Sequence, residues 1–234
     1  MRAFVLNGPY DGRVEEVPRP EPAEGELVVD VERVGVCGTD VELFTGEMAY
    51  IHQGHTSYPL RLGHEWCGRV ATVGDGVEES WVGRRVTGDT MIGCGRCRRC
   101  ERGLHHLCDS RMEVGIRDGM HGALAEQITV PAPSAWRLPD TIDPVLGALV
   151  EPGGSSLRAA RAAKVGPGDR ALVIGPGTIG LMAAMFLAAG GAEVHLLGVD
   201  ERSLDFARSL GFADVWSVDV IPSLPFDAVV DASN

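Results

Sequence analysis

"DRALVIGPGTIGLMAAMFLAAGGAEVHLLGVD", residues 169–200, reads as an apolar strand, a glycine turn, a helix of small residues and a second apolar strand. That is a βαβ unit, which places two parallel strands side by side with the helix packed across them. Gly175, Gly177 and Gly180 stand in the pattern G-x-G-x-x-G at the point where strand gives way to helix. In that setting the first glycine permits the tight turn, the second lets backbone approach a pyrophosphate, and the third lets helix pack on strand. The opening of the helix, from Gly177 through Thr178 and Ile179 to Gly180, offers free N–H groups to phosphate oxygens. Asp200 ends the second strand, where a carboxylate can accept hydrogen bonds from ribose hydroxyls and repel a 2′-phosphate, which favours NAD over NADP. Arg202, two residues further on, is the feature that would admit NADP. A bare strand-to-helix turn is the alternative reading of the glycines.

Working outward, "ERSLDFARSLGF" predicts an amphipathic helix, "ADVWSV" a third strand and "FDAVVDAS" a fourth. Upstream, "VLGALVEPGGSSLRAARAAKVG" reads as helical. Before it lie short alternating runs, "ELVVDVERVGVC", "GRVATVG", "GRRVTG" and "ALAEQITVP", whose length and intervening turn residues suggest a compact β-barrel. The proline-rich "PAPSAWRLPDTIDP" is expected to thread out of that barrel. The chain is thus α/β with a β-rich part: a barrel domain over 1–155 and the first part of a dinucleotide-binding domain over 156–234. A doubly wound sheet of this type has about six strands, and four are counted here. The C-terminal remainder of the domain is therefore expected to be missing.

A formal net charge of −12 argues against nucleic acid or an anionic membrane as partner, since both repel a negative surface. "MRAFVLNGPY" lacks the apolar core of a signal peptide, and no run approaches the length needed to cross a bilayer. The expected location is the cytoplasm, where thiols stay reduced.

Four of the six cysteines, Cys94, Cys97, Cys100 and Cys108, fall in "CGRCRRCERGLHHLC". With disulfides disfavoured, this spacing points to one tetrahedral zinc, and four protein ligands leave no position for substrate, so the site is structural. The alternative is a basic surface loop with idle thiols. His105 and His106 read as solvated loop residues.

"GVCGTD" at 35–40 and "GHEWCGRVATVGDGV" at 63–77, together with the four-cysteine loop and the glycine turn, resemble the zinc-containing medium-chain dehydrogenase/reductase family, which includes alcohol, polyol, sugar and threonine dehydrogenases. The resemblance implies a GroES-like barrel followed by a Rossmann domain. It also implies a second, catalytic zinc, giving two per chain, held by Cys37 and His64 with a third ligand from Glu151. Glu65 would approach that metal or stand behind it. Thr39 would pass the substrate's hydroxyl proton towards solvent, and Asp40 would hold the loop. Where many members continue the proton path with histidine, this chain has Glu42. Cys67 matches no ligand position. Tyr50, His52 and His55 are candidates for the wall of the substrate cleft.

The implied activity is hydride transfer between a secondary alcohol, polyol or sugar and NAD. A threonine-dehydrogenase-like enzyme and a non-catalytic relative that binds nucleotide are the alternatives. The implied partners are a small-molecule substrate and, at full length, a second copy or a tetramer of the same chain.

Overall fold

The computed structural model describes residues 1–221 and 223–233. Asn234, the last residue of the expected second domain, and Pro222 lie outside the described residues. The chain divides into two compact units, Met1–Glu151 and Pro152–Asn234. The helix Val150–Ala163 runs through the division, so the expected boundary at 155/156 falls inside a helix.

The first unit is built around the strand Glu26–Val34, which pairs antiparallel with Trp66–Val73 on one side and Gln127–Pro131 on the other. Its valines suit a pleated surface because β-branched side chains pack well there. Arg85–Gly88 extends the sheet beyond Trp66–Val73. Register shifts at Val28/Val29 and Val31/Arg33 mark bulges, which bend a strand as barrel curvature requires. A second sheet orders Asp11–Glu16, Arg2–Gly8 and Leu60–Arg61, and Ala3 bridges it to Ala125.

Between them lie two apolar clusters. One centres on Leu27, Val29, Trp66, Val70, Val86 and Ile128; the other joins Leu6, Leu43, Leu60, Leu62 and Ile116. Each such side chain removed from water contributes about 1.5–3 kcal/mol. Their burial fixes where Leu62, and hence the neighbouring His64, must sit.

"PAPSAWRLPDTIDP" does not leave the barrel as expected. Ala135–Arg137 forms an edge strand beside Arg85–Gly88, and Leu138 N–H donates to the Arg85 carbonyl at 2.9 Å. The prolines flank the three ladder residues without occupying them, so their missing N–H groups cost no pairing. Ala135 is buried on the sheet while Trp136 and Arg137 are exposed at its edge.

In the second unit, four parallel strands stand in the order Val215–Ser217, Glu193–Gly198, Arg170–Ile174 and Ala228–Asp231. Counted along the chain this is 3-2-1-4, the first two-thirds of the doubly wound order, with the switch point beside the first strand. Ala171, Val173, Leu181, Ala184, Leu187, Leu196 and Leu204 close the layer between sheet and helices. The alanines of Thr178–Ala189 allow that helix to lie close against the sheet. No helix among the described residues is long and apolar enough to cross a membrane.

Candidate functional site

Cys37 stands at the N-cap of the helix Gly38–Thr45, and His64 and Glu65 precede the strand Trp66–Val73. The fold brings one ligand atom from each of the three within 4.8 Å of the others. Asp40, buried, ties the two arms together: its Oδ2 accepts from Cys37 N at 2.9 Å and its Oδ1 from Gly63 N at 3.1 Å. Gly35 N donates to the Glu65 carbonyl at 2.7 Å, and a Cβ at Gly35 would collide with the Glu65 carboxylate. Glycine is what lets Glu65 lie over that strand end.

The electrostatics describe a place that wants positive charge. Burial presses the His64 imidazolium down, yet the Asp40 carboxylate and the Cys37 sulfur close beside it together outweigh burial and hold its pKa up to about 10. The Cys37 thiol is lowered, chiefly by its bond to His64, against its own burial, with help from the amide and hydroxyl of Thr39. Glu65 is raised, first by burial and then by the negative charge of Glu151 and Asp40. His64 Nδ1 is buried without a hydrogen-bond partner, 3.6 Å from Asp40 Oδ1 and so just beyond bonding distance. Sulfur, imidazole and carboxylate donors within 4.8 Å of one another fit a zinc ion, whose binding displaces protons from such ligands.

Glu151, expected as third ligand, is outside that group of three. Its Oε1 accepts from Thr90 Oγ1 at 2.8 Å, and it acts on Glu65 through charge. Thr90 carried no sequence signal, since nothing in its spacing links it to position 151. Cys67 is buried, with its thiol pushed up to about 11, first by desolvation, and Gly147 is pressed against its sulfur. Glu42 is exposed on the helix Gly38–Thr45.

The second group is local. The thiols of Cys94, Cys97, Cys100 and Cys108 lie within 4.8 Å of one another, with Cys97 Sγ 3.6 Å from Cys100 and 3.9 Å from Cys108. The two-residue strands Met91–Ile92 and Met112–Glu113 close the base of this lobe, and the short helix Arg98–Glu101 turns Cys100 inward beside Cys97. Backbone N–H groups, that of Arg96 first, hold the Cys94 thiol down to about 6. Such a cage of amides favours thiolate and suits a closed S4 zinc site. His105 and His106 form part of a 3-10 turn and are not in the group.

In the second unit, Gly175 has φ +87, and a Cβ there would lie 2.7 Å from the Ala232 carbonyl. At Gly180 a Cβ would strike the Gly175 carbonyl oxygen. At Gly177 it would meet nothing within 4 Å, so open space lies over the turn where a pyrophosphate would approach. Gly177 caps the helix Thr178–Ala189 without a side-chain bond, leaving the amides of Thr178, Ile179 and Gly180 to a ligand. Asp200 caps the helix Glu201–Ser209: its Oδ2 accepts from Ser203 N at 2.9 Å and Ser203 Oγ at 2.7 Å. Those bonds hold its carboxyl below the usual range, ionised, with Oδ1 left for a ribose. Arg202 is exposed.

A bulged antiparallel barrel joined in one chain to a parallel nucleotide-binding sheet defines the two-domain dehydrogenases. The chain belongs to the zinc-containing medium-chain dehydrogenase/reductase family, and residues 23–140 match the alcohol dehydrogenase GroES-like domain. It is 34% identical over 234 residues to an L-threonine 3-dehydrogenase of Saccharopolyspora erythraea, covering 99% of this chain and 65% of that one. Among solved structures, a proposed zinc-binding dehydrogenase from Sinorhizobium meliloti 1021 bound to NADP superposes with TM-score 0.87 at 32% identity, covering 98% of this chain and 69% of that one. Galactitol-1-phosphate dehydrogenase from Escherichia coli does so at 0.82 and 29%, covering 95% and 62%. The chain spans less than two thirds of the length of the curated relatives it matches, from 56% to 65%.

Proposed function

We propose that this chain is the barrel and first nucleotide-binding part of a zinc- and NAD-dependent dehydrogenase of a secondary alcohol, polyol or sugar. The observation that carries the reading is the convergence of Cys37 with His64 and Glu65, from two separate segments, to within 4.8 Å of one another. When bound, zinc supplies Lewis acidity towards a substrate hydroxyl, and the nicotinamide accepts the hydride.

Cys37 and His64 would hold the metal, with Glu65 or Glu151 as third donor. Asp40 keeps the two arms in register, as a residue behind a ligand does. Thr39, whose hydroxyl bonds Cys37, would take the first step of carrying the hydroxyl proton to solvent. The Gly175–Gly180 turn would seat the pyrophosphate, and Asp200 would accept from the ribose and set the preference for NAD. NADP, as bound by the Sinorhizobium relative, is the alternative that Arg202 would serve. Cys94, Cys97, Cys100 and Cys108 would hold the second, structural zinc.

The test is zinc content with NAD reduction. Two zincs in the parent chain, one in Cys37→Ala and in His64→Ala, and loss of NAD reduction in both are expected. Reduction that survives both substitutions defeats the zinc mechanism. Loss of the catalytic zinc in Glu65→Gln but not Glu151→Gln would assign the third donor to Glu65. The identity to L-threonine 3-dehydrogenases favours L-threonine as a second substrate reading, which a panel of alcohols, polyols and threonine separates.

A further inference from the structure

The turn Glu113–Asp118 is packed against the Gly63 side of the candidate metal site and against Thr90. A Cβ at Gly115 would lie 2.9 Å from the Gly63 carbonyl, next to His64, and Val114 N donates at 2.9 Å to the carbonyl of Thr90, the residue that holds Glu151. Along the turn, Glu113 and Arg111 neutralise each other, with Nε and Oε1 2.7 Å apart, and Arg111 also reaches the Tyr50 hydroxyl at 3.1 Å.

Arg117 is different. Its side chain is 8% exposed, and its Nε bonds Asp118 Oδ2 at 3.2 Å. Its Nη2 lies 3.3 Å from His55 Nδ1, and its carbon sits 5.3 Å from the centre of the Tyr50 ring. Its Nη1 makes no hydrogen bond among the described residues. Because guanidinium is always a donor, Nη2 donates and His55 Nδ1 accepts, which makes His55 the Nε2–H tautomer with that N–H unengaged among the described residues. The next residue, Thr56, is buried and its hydroxyl has no partner. Asp118 stands at φ +56, a conformation that asparagine and aspartate tolerate but that is uncommon outside glycine. Asp118 N donates to the His55 carbonyl at 2.9 Å, so the two loops are fastened to each other.

A buried cation with an open edge, a neutral histidine turned to donate, and an unpartnered buried hydroxyl are a set of donors without an acceptor. A buried polar group left unpaired costs free energy that a ligand oxygen can restore. Asp118 is 42% exposed, so its charge is screened by water and does not cancel the open edge of Arg117.

We propose that Arg117, His55 and Thr56 bind an oxyanion, the carboxylate or phosphate at the far end of an alcohol substrate, and so select substrates that carry one. The proposal rests on the dehydrogenase reading for the word substrate; the anion site itself does not depend on turnover.

The experiment is calorimetric titration of the zinc-loaded chain with inorganic phosphate, acetate and neutral glycerol, in the parent and in Arg117→Gln, Arg117→Lys and Thr56→Val, with zinc content measured in each. Thr56→Val removes a hydroxyl that bonds nothing, so it is expected to leave Tm unchanged or raised and still weaken anion binding several-fold. Arg117→Gln is expected to weaken it tenfold or more at equal zinc content, with Arg117→Lys in between. Phosphate bound tighter than acetate marks a phosphorylated substrate, and the reverse order marks a carboxylate. Equal anion affinity in parent, Thr56→Val and Arg117→Lys overturns the proposal. So does an unfolded Arg117→Gln accompanied by unchanged affinity in Thr56→Val, because Arg117 is then structural. Anion binding that depends on these residues in a full-length protein that reduces no NAD would leave the site standing and remove the dehydrogenase reading instead.

Discussion

The two groups of metal-ligand side chains are assembled in opposite ways. The four thiols of the lobe come from fifteen consecutive positions, and the secondary structure around them amounts to two-residue strands and a four-residue helix. Cys37 comes from one segment and the adjacent His64 and Glu65 from another, and all three are set by buried strands, by Asp40 and by the space left at Gly35. The lobe, with so little regular structure around its thiols, would take its shape from a bound metal. The other site has its shape before any metal arrives, because the barrel core supplies it. On the proposed reading, one ion would stabilise a fold and the other would use one.

The sharpest way to break that contrast is Cys100→Ser. The binding free energy of a structural zinc is about 10–16 kcal/mol in small zinc domains, and for such domains it is folding free energy. Zinc is expected to fall by one per chain, with protease cleavage appearing between residues 94 and 108 while the barrel resists. A lobe that stays protease-resistant without metal would show that its own packing suffices.

A smaller effect is expected from Asp40→Asn, which keeps shape but removes the charge between Cys37 and Gly63. Loss of a partner behind a metal ligand typically costs 10–100-fold in affinity. Zinc retention against a chelator is expected to weaken by about that factor at the Cys37 site and not at the lobe. Equal weakening at both would mean that the two sites are not independently built.

The smallest effect lies outside both. The Glu193 carboxyl is held down to about 2, first by its bond to Arg170 and then by His195. A carboxyl lowered in the folded state contributes stability above its unfolded pKa, which is lost as pH falls from about 4.5 towards 2. Glu193→Gln is therefore expected to lower Tm slightly at pH 7, by a few degrees at most, and not at all near pH 2. Neither zinc count should move. A Tm difference that persists at low pH would refute the ion-pair account.

The same contrast explains what could be read from the sequence. The lobe was legible because its ligands are local, and the βαβ unit because its period, glycines and terminal Asp200 are local too. Four parallel strands and their order follow from that unit. The grouping of Cys37, His64 and Glu65 was legible only through resemblance, since spacing along the chain says nothing of convergence in space. The relation between Glu151 and Thr90 was invisible for that reason. Asp200 had a second occupation, the cap of Glu201–Ser209, that the ribose argument did not anticipate. Ala135–Arg137 was misjudged because the flanking prolines masked a strand of only three residues. Arg117 gave no signal, as an arginine beside an aspartate in a loop looks solvated until its burial is seen.

The closeness of the lobe thiols also has a redox side. Cys97 Sγ lies 3.6 Å from Cys100 and 3.9 Å from Cys108, so once zinc leaves, a small movement suffices for a disulfide. Oxidant then converts a reversible loss of metal into a covalent one, and zinc added afterwards finds no thiolates. Cys67, buried and with its thiol held high, takes no part. Air and chelator together would inactivate the lobe in a way that neither does alone, and a reductant would have to precede zinc to undo it.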